Sequence, residues 1–569
     1  MKYRMMMTKK GILFSLIFFF FISLSFTQEA LKSHEEDYYD FLSLNGTVAR
    51  PTLGYRTLSD NLWEFSEIDS ESHIWSNLNL GSSFLLWQAS SPADNWFTRG
   101  IKQNLTAKVY GPEWFNSYNT ASPFGQNDGG LWQGRGYNTA FTAGARLEGY
   151  GFEATLKPQI SWMQNREYEY IKPNYTGETY KDKAEKYGYY GVTSVDAPQR
   201  FGDSPFWNFD WGDSEIRYSL YSFTVGFGTQ AIWLGPAKLN PIMHSNNASS
   251  YPKLDIGFRK TELKMPYWGW YLGSIELRGW WGKLTESDWF DNDNTNDNTL
   301  ISGLSINYQL PFFRDLTLGL NRTMLSAWKN MSSYTLFKIY NPSISSGTSG
   351  GKDESDQRVS FTIDYNIKNA GFEVYLEWGR NDFSPNRDYY IRYPFHTAGW
   401  TFGTEKTFDL PWNLKGALLL ELTYLECSAD YDRLISWYST FYAHHEIKQG
   451  YTNNGQWLGA GIGTGGNSQY FGLTVYYPRG SVLLFMQRRN PDLDYSMYID
   501  SRANGTQAEK NIRAELNFGI SGLYYFTDSF NIQLQYILNN QHNPLNVASG
   551  NTSIHRYNNY INLSLSYKI

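Results

Sequence analysis

One cysteine, Cys427, occurs in 569 residues. That excludes an intramolecular disulfide and any cysteine-built zinc site. Charge is scarce: 18% of residues, against about a quarter in ordinary soluble domains. There is no positive excess, since 49 Lys+Arg stand against 55 Asp+Glu for a net charge of −6. No electrostatic case for nucleic-acid binding follows. After Ile22 no long apolar run recurs, so a membrane location would have to be reached without helices. Reactive motifs are missing as well. No Gly-x-Ser-x-Gly elbow, phosphate loop or dinucleotide fingerprint appears. His444-His445-Glu446 lacks the spacing that sets two ligands on one helical face. Asp291 to Asn298 is oxygen-rich but lacks the glycine and closing Glu of a calcium loop. No metal, cofactor or catalytic residue is expected.

What is present is aromatic and neutral-polar. Phe, Trp and Tyr make up 18% of the chain, Gly adds 50 residues, and mean hydropathy is still −0.50. Disordered chains lack such aromatics. Lys2, Arg4, Lys9 and Lys10 precede an apolar run from Gly11 to Ile22 and small residues at Ser23, Ser25 and Thr27. This is the layout of a secretory signal peptide, so residues 1–27 are read as a signal, 28–45 as a short periplasmic lead-in and 46–569 as one domain.

That domain alternates. Phe530, Ile532, Leu534, Tyr536 and Leu538 are interleaved with Asn531, Gln533, Gln535 and Asn539; Val359, Phe361, Ile363 and Tyr365 with Ser360, Thr362 and Asp364. Period two means strands with one apolar and one polar face. Three features choose a membrane barrel over a soluble sandwich. Aromatic clusters such as Tyr267-Trp268-Gly269-Trp270-Tyr271 resemble interfacial girdles. Short connections (Pro311 to Arg314, Pro478 to Gly480) alternate with long polar ones (Lys329 to Asp356, Ser428 to Asn467). Alternation also runs to the last residue, Ile569, as in the assembly signal of outer-membrane proteins, where Phe is usual. The expected fold is all-β: a single transmembrane antiparallel β-barrel of about 18–20 strands with long extracellular loops. Inward positions would carry both charge signs, among them Arg146, Glu153, Arg217, Asp255, Arg278 and Glu373, which in a dry lumen must pair.

Three collinear stretches carry a resemblance. Gln230-Ala231-Ile232-Trp233-Leu234-Gly235-Pro236 leads to Ser245-Asn246-Asn247-Ala248. Asp356-Gln357-Arg358-Val359 leads to Tyr375-x-Glu377 and Asn381-Asp382. Trp437-Tyr438, His444-His445-Glu446 and Gln449-Gly450-Tyr451-Thr452 lead to Gly455-Gln456-Trp457. Together these resemble the Wzi capsule-assembly family of outer-membrane proteins. The resemblance implies an outer-membrane barrel acting as a lectin for capsular polysaccharide at the cell surface. It also implies an N-terminal periplasmic helical bundle, for which this sequence leaves no room. Sugar rings offer an apolar face and a rim of hydroxyls, which aromatic rings and Asn, Asp, Gln or Arg respectively can cover. The residues expected to bind polysaccharide are Gln230, Trp233, Asn246, Asn247, Asp382, Trp437, His444 and Tyr451. Expected partners are capsular or other surface polysaccharide, outer-membrane lipid and, during biogenesis, the barrel-assembly machinery. A general diffusion porin is the alternative reading; an enzyme is not expected.

Overall fold

The computed structural model describes residues 27–28, 32–65, 73–78, 80–81, 83–89, 95–341, 355–381, 387–392, 394–426, 439–502, 512–546 and 554–568. Residues 1–26, and with them nearly all of the expected signal segment, lie outside this set, as do Asp382, Cys427, Trp437 and Ile569.

Alternating residues form an antiparallel sheet that closes on itself through 18 strands. In chain order these are β1 (Leu105–Asn119), β2 (Gly136–Gly149), β3 (Phe152–Leu156 and Gln159–Met163), β4 (Phe206–Asp210 and Glu215–Leu220), β5 (Phe223–Gly228) and β6 (Lys253–Lys264). Next come β7 (Tyr271–Thr285), β8 (Asn298–Gln309), β9 (Leu316–Ala327), β10 (Ser355–Ile367), β11 (Phe372–Asn381) and β12 (Ala398–Leu410). The last six are β13 (Leu414–Tyr424), β14 (Asn467–Tyr477), β15 (Gly480–Asn490), β16 (Ala514–Tyr525), β17 (Phe530–His542) and β18 (His555–Tyr567). Closure joins β18 to β1, from Tyr560↔Asn119 to Ser566↔Glu113. A short strand, Phe84–Trp87, pairs with the remaining part of β1 at Leu105 to Ala107. The break in β3 falls at Lys157-Pro158, where Pro158 has no N–H to give the ladder.

Side chains alternate across this wall with the polarity of a hydrocarbon-embedded barrel. Leu534, Tyr536, Ile561, Leu563, Phe518 and Ile520 are exposed on the outside, while Asn531, Asn539, Asn562, Asn517 and Ser521 are buried on the inside. Closure leaves no strand edge to satisfy in lipid. Connections alternate too. Turns such as 150–151, 221–222, 368–371 and 478–479 occupy one end, and long loops such as 164–205, 229–252 and 286–297 the other. The 368–371 turn depends on Gly371, whose φ of 57° is left-handed and whose missing side chain leaves room for Asn45 and Thr407.

The stretch read from sequence as a periplasmic lead-in is inside the barrel. Helix α1 (His34–Ser43) starts at Ser33, whose hydroxyl accepts the Glu36 N–H at 3.2 Å. Tyr38, Tyr39, Phe41 and Leu42 then pack with Trp63, Trp75, Tyr476 and Tyr525 against the inner wall at the short-turn end. The Tyr38 and Trp75 rings stack with centroids 4.1 Å apart. Lys568, just past β18, pairs with Glu35 at 2.9 Å. The alternation that begins near Gly46 belongs to this inserted segment, not to the wall, whose first full-length strand is β1. Its strands are too short to sustain a period: Val48–Ala49 and Tyr55–Arg56 have two residues each and Leu62–Phe65 has four.

Candidate functional site

From the other end the β5–β6 loop, 229–252, descends into the lumen and meets the N-terminal segment. Trp233–Leu234 pairs antiparallel with Tyr55–Arg56. Gly235 donates its N–H to the Gly54 carbonyl at 2.8 Å. A Cβ at Gly54 would collide with the Asn307 amide, so glycine is required where segment and wall approach.

The inward charges of the wall hold these two insertions. Arg278 on β7 binds Asp60 of the N-terminal segment at 2.5 Å and Asp255 on β6 at 2.7 Å. Arg259 binds Asp60 at 2.6 Å and Glu153 at 2.8 Å, and Arg146 binds Glu153 at 2.6 Å. A register shift in β6 between Phe258 and Thr261 brings Arg259 and its neighbour Lys260 to the same side, where Lys260 donates to the Arg50 carbonyl. Wall glutamates act on backbone as well. Glu276 accepts the N–H groups of Leu53, Gly54 and Tyr55; Glu421 those of Lys238, Leu239 and Asn240; Glu377 that of Ile242. Buried carboxylates therefore satisfy amides that loop backbone would otherwise leave orphaned.

These contacts decide what several expected sugar-binding residues do. Trp233 is fully buried; its Nε1 donates to the Ala237 carbonyl at 2.9 Å, and the Lys32 ammonium and Arg56 guanidinium sit over its ring at 5.1 and 5.3 Å. It offers no free face to a sugar. Gln230 is also fully buried and accepts from Thr57 and Ser59. Tyr451 is fully buried, its hydroxyl on the Met243 carbonyl and the Arg358 guanidinium 4.4 Å from its ring. His444 is buried and accepts the Glu446 and Ile447 N–H groups at 3.2 Å. The structure places these four side chains inside the folded loops, bonded to neighbouring loops and to the N-terminal segment, and Gln230 also borders a chamber in the lumen. Asp382 and Trp437 lie outside the described residues.

Asn246 and Asn247 keep a place at a cavity. At the long-loop end a cleft of about 280 Å³ opens among the loops 120–135, 164–205 and 453–463 and the outer ends of β15 to β18. Asn247 lines it, with one amide group on the Asn127 N–H and the Trp457 carbonyl. Aromatic walls come from Trp132, Tyr168, Tyr170, Tyr189, Tyr190 and Trp457. Tyr189 and Tyr190 have centroids 4.6 Å apart, and Trp457 meets Tyr189 edge-on at 5.6 Å. Gln456, Gln541, Arg489, Arg513, Arg556 and Glu515 supply polar groups. Burial raises the Asp128 carboxyl to about 7, against hydrogen bonds from Gln133 and the Gln126 backbone. Below the cleft a chamber of about 510 Å³ shares Gln126, Asp128 and Leu131 with it. Asn246 and Gln230 line that chamber, and its far wall is the neutral ladder Asn531, Gln533, Gln535, Asn562, Ser564 and Ser566.

Sequence reasoning missed most of this cleft. Its aromatic residues were visible as Tyr168-Glu169-Tyr170 and Tyr189-Tyr190 in a loop no motif marked. Trp457 belongs to the stretch Gly455-Gln456-Trp457 that carries the resemblance, but nothing in that stretch marks it as a contact residue. An apolar ring beside hydrogen-bonding amides and guanidinium groups is the chemistry that suits a pyranose face and its hydroxyls. Among the described residues no group of His, Cys, Asp and Glu is arranged to hold a metal ion.

Comparison with known proteins gives a consistent result. The profile of the family "Capsule assembly protein Wzi" matches residues 119–546. Among solved structures, the Escherichia coli outer-membrane protein Wzi, described as a carbohydrate-binding β-barrel involved in group 1 capsule assembly, superposes with a TM-score of 0.51 at 12% identity, covering 81% of this chain and 85% of that one. OccAB2 of Acinetobacter baumannii gives 0.39 at 10%, covering 81% and 98%. OccD3 of Pseudomonas aeruginosa gives 0.38 at 11%, covering 83% and 92%. A comparison with curated protein sequences returns no match.

Proposed function

The chain belongs to the Wzi capsule assembly family, and from that premise we propose that it is a non-enzymatic lectin of the outer membrane that binds and organises exported capsular polysaccharide at the cell surface. One observation carries the reading: the cleft at the long-loop end, where Trp132, Tyr168, Tyr170, Tyr189, Tyr190 and Trp457 surround amide and guanidinium groups. The E. coli protein of the same architecture is described as carbohydrate-binding, which supports the assignment. The doubly inserted lumen favours a binding protein over a general diffusion channel, because Asp60, Glu276, Glu377 and Glu421 tie both insertions to the wall. In this reading residues 1–27 are removed on export, the barrel-assembly machinery inserts the rest, and lipid meets the apolar exterior.

The test is polysaccharide binding by purified protein carrying Tyr168→Ala or Tyr170→Ala. Each should weaken binding by about 1–3 kcal/mol, taking stacking on a sugar as comparable to stacking on a base. Circular dichroism and resistance to unfolding in detergent should match wild type. If both folded variants bind as tightly as wild type, the cleft is not the site.

A further inference from the structure

We propose that the outer cleft is built for an acidic polysaccharide, one whose repeating unit carries a carboxylate; this rests on the cleft being the polysaccharide site. Among the described residues every basic side chain that lines it is an arginine. Arg489, Arg513 and Arg556 line the cleft itself. Tyr168, Glu169 and Tyr170 form a ridge shared with a shallower groove, and that groove adds Arg135 and Arg166 beside one further carboxylate, Glu167. Arginine presents a planar fork that binds a carboxylate through two parallel bonds and stacks on rings, which a lysine ammonium cannot do.

The neutralisation of these five cations is uneven. Glu515 binds Arg489 at 2.7 Å and reaches Arg513 at 3.4 Å. Among the described residues Arg556 has as ion-pair partner only Glu169, 3.9 Å away on a side chain that is 83% exposed. Arg135 donates to the Thr120 and Glu167 carbonyls, and Arg166 to the Tyr118 hydroxyl. Neither has a carboxylate in ion-pair reach among the described residues. The Nε of Arg513 is buried without an acceptor among the described residues. Arg513 and Arg135 are near enough to Arg556 for their like charges to act on it. An anion laid along the ridge relieves that repulsion. A neutral glycan offers these guanidinium groups only hydroxyls. Because cleft and groove share that ridge, a long chain laid across it can engage several carboxylates together, and their contacts add through effective concentration.

The probe is surface polysaccharide extracted from the source bacterium, used as isolated and after chemical reduction of its carboxyl groups to primary alcohols. Reduction keeps the backbone and removes the charge. Titrated against the purified full-length barrel, the reduced form should bind at least ten-fold more weakly. Arg556→Gln should weaken the native form by a similar factor and the reduced form by clearly less, with Arg556→Lys in between. Arg166→Gln, at an exposed side chain, repeats the measurement where folding is not at stake. Equal binding of the two forms, or tight binding of a polysaccharide found to hold no carboxyl group, overturns the acidic-repeat inference and leaves the lectin reading standing. Binding of neither form overturns both.

Discussion

Asp60→Asn removes one charge from the N-terminal segment while changing almost no volume. In the wild type this carboxylate binds two wall cations, Arg278 at 2.5 Å and Arg259 at 2.6 Å, with its own side chain 3% exposed. Breaking a buried pair by removing one partner costs about 3–5 kcal/mol. The low end applies here. Arg278 keeps Asp255 at 2.7 Å, Arg259 keeps Glu153 at 2.8 Å, and the new amide still has one accepting oxygen. About 3 kcal/mol is roughly a 150-fold change in an equilibrium constant. The loss should fall on docking of the segment, because the interstrand ladder of the wall does not pass through Asp60. Native-state hydrogen exchange in detergent reads this directly. Amides of residues 48–65 should exchange about a hundred-fold faster in the variant, while β7, β8 and β9 keep their protection. Salt should change little, since the pair is shielded from solvent ions. Unchanged exchange over 48–65 would refute the claim that this pairing anchors the segment; equal loss across the wall strands would show that segment and wall unfold as one unit.

Trp233→Ala should cost about 3–5 kcal/mol, as for other buried Trp truncations, and should be felt as looser packing of the two insertions. Added ion current in planar bilayers with unaltered polysaccharide binding is the expected pair of results; lost binding with the lumen still closed would return Trp233 to the site. The outer loops should lose stability as pH rises. Burial, then the charges of Asp196, Asp291 and Asp297, lift the Glu286 carboxyl to about 9, and burial lifts Asp196 to about 6 despite hydrogen bonds from Ser287. Both values lie above those of the unfolded chain, so the folded loops hold extra protons. That stabilisation is complete below about pH 4 and is lost progressively up to about pH 9. Protease sensitivity of the 286–297 loop should therefore be greater at pH 9.5 than at pH 6, and Glu286→Gln should flatten the difference; equal sensitivity at both pH values in the wild type would contradict the assignment.

The wall was legible because its constraint is local and repetitive. Hydrocarbon outside and a polar lumen inside force period two on β10 and β17 residue by residue, so Val359 to Tyr365 or Phe530 to Leu538 could be read without any tertiary knowledge. The turns and long loops were legible for a similar reason, since membrane thickness fixes how soon each strand must end. The insertions were not. Trp233 on a Gly-Pro loop looks the same whether that loop faces solvent or turns inward; the difference lies with Lys32 and Arg56, far away in sequence. Helix α1 did carry a local signal, Ser33 with Glu36 three residues on and then Tyr38, Tyr39, Phe41 and Leu42. Its three acidic residues in the first turn made the stretch read as a periplasmic lead-in. The cleft aromatics escaped for the opposite reason: Tyr168 and Tyr190 come from distant parts of one loop and meet Trp457 from another, and no spacing in the sequence predicts the meeting.

Helix α1 lies inside a cylinder whose seam is made by the last strand of the chain, and that geometry sets an order of events during insertion. Glu35 is held by Lys568 and by the Tyr525 hydroxyl, groups that exist only once β16 and β18 have been delivered. The segment that emerges first is thus among the last to find its partners, and loop closure on this scale makes its docking slow. Until β18 zips onto residues 113–119, the inner wall that receives Tyr38 and Trp75 is an open, curved sheet. The insertion has its easiest entry through that gap, before it shuts. Sealing the cylinder and filling it are then one kinetic event, and a chain stopped short of β18 leaves both undone.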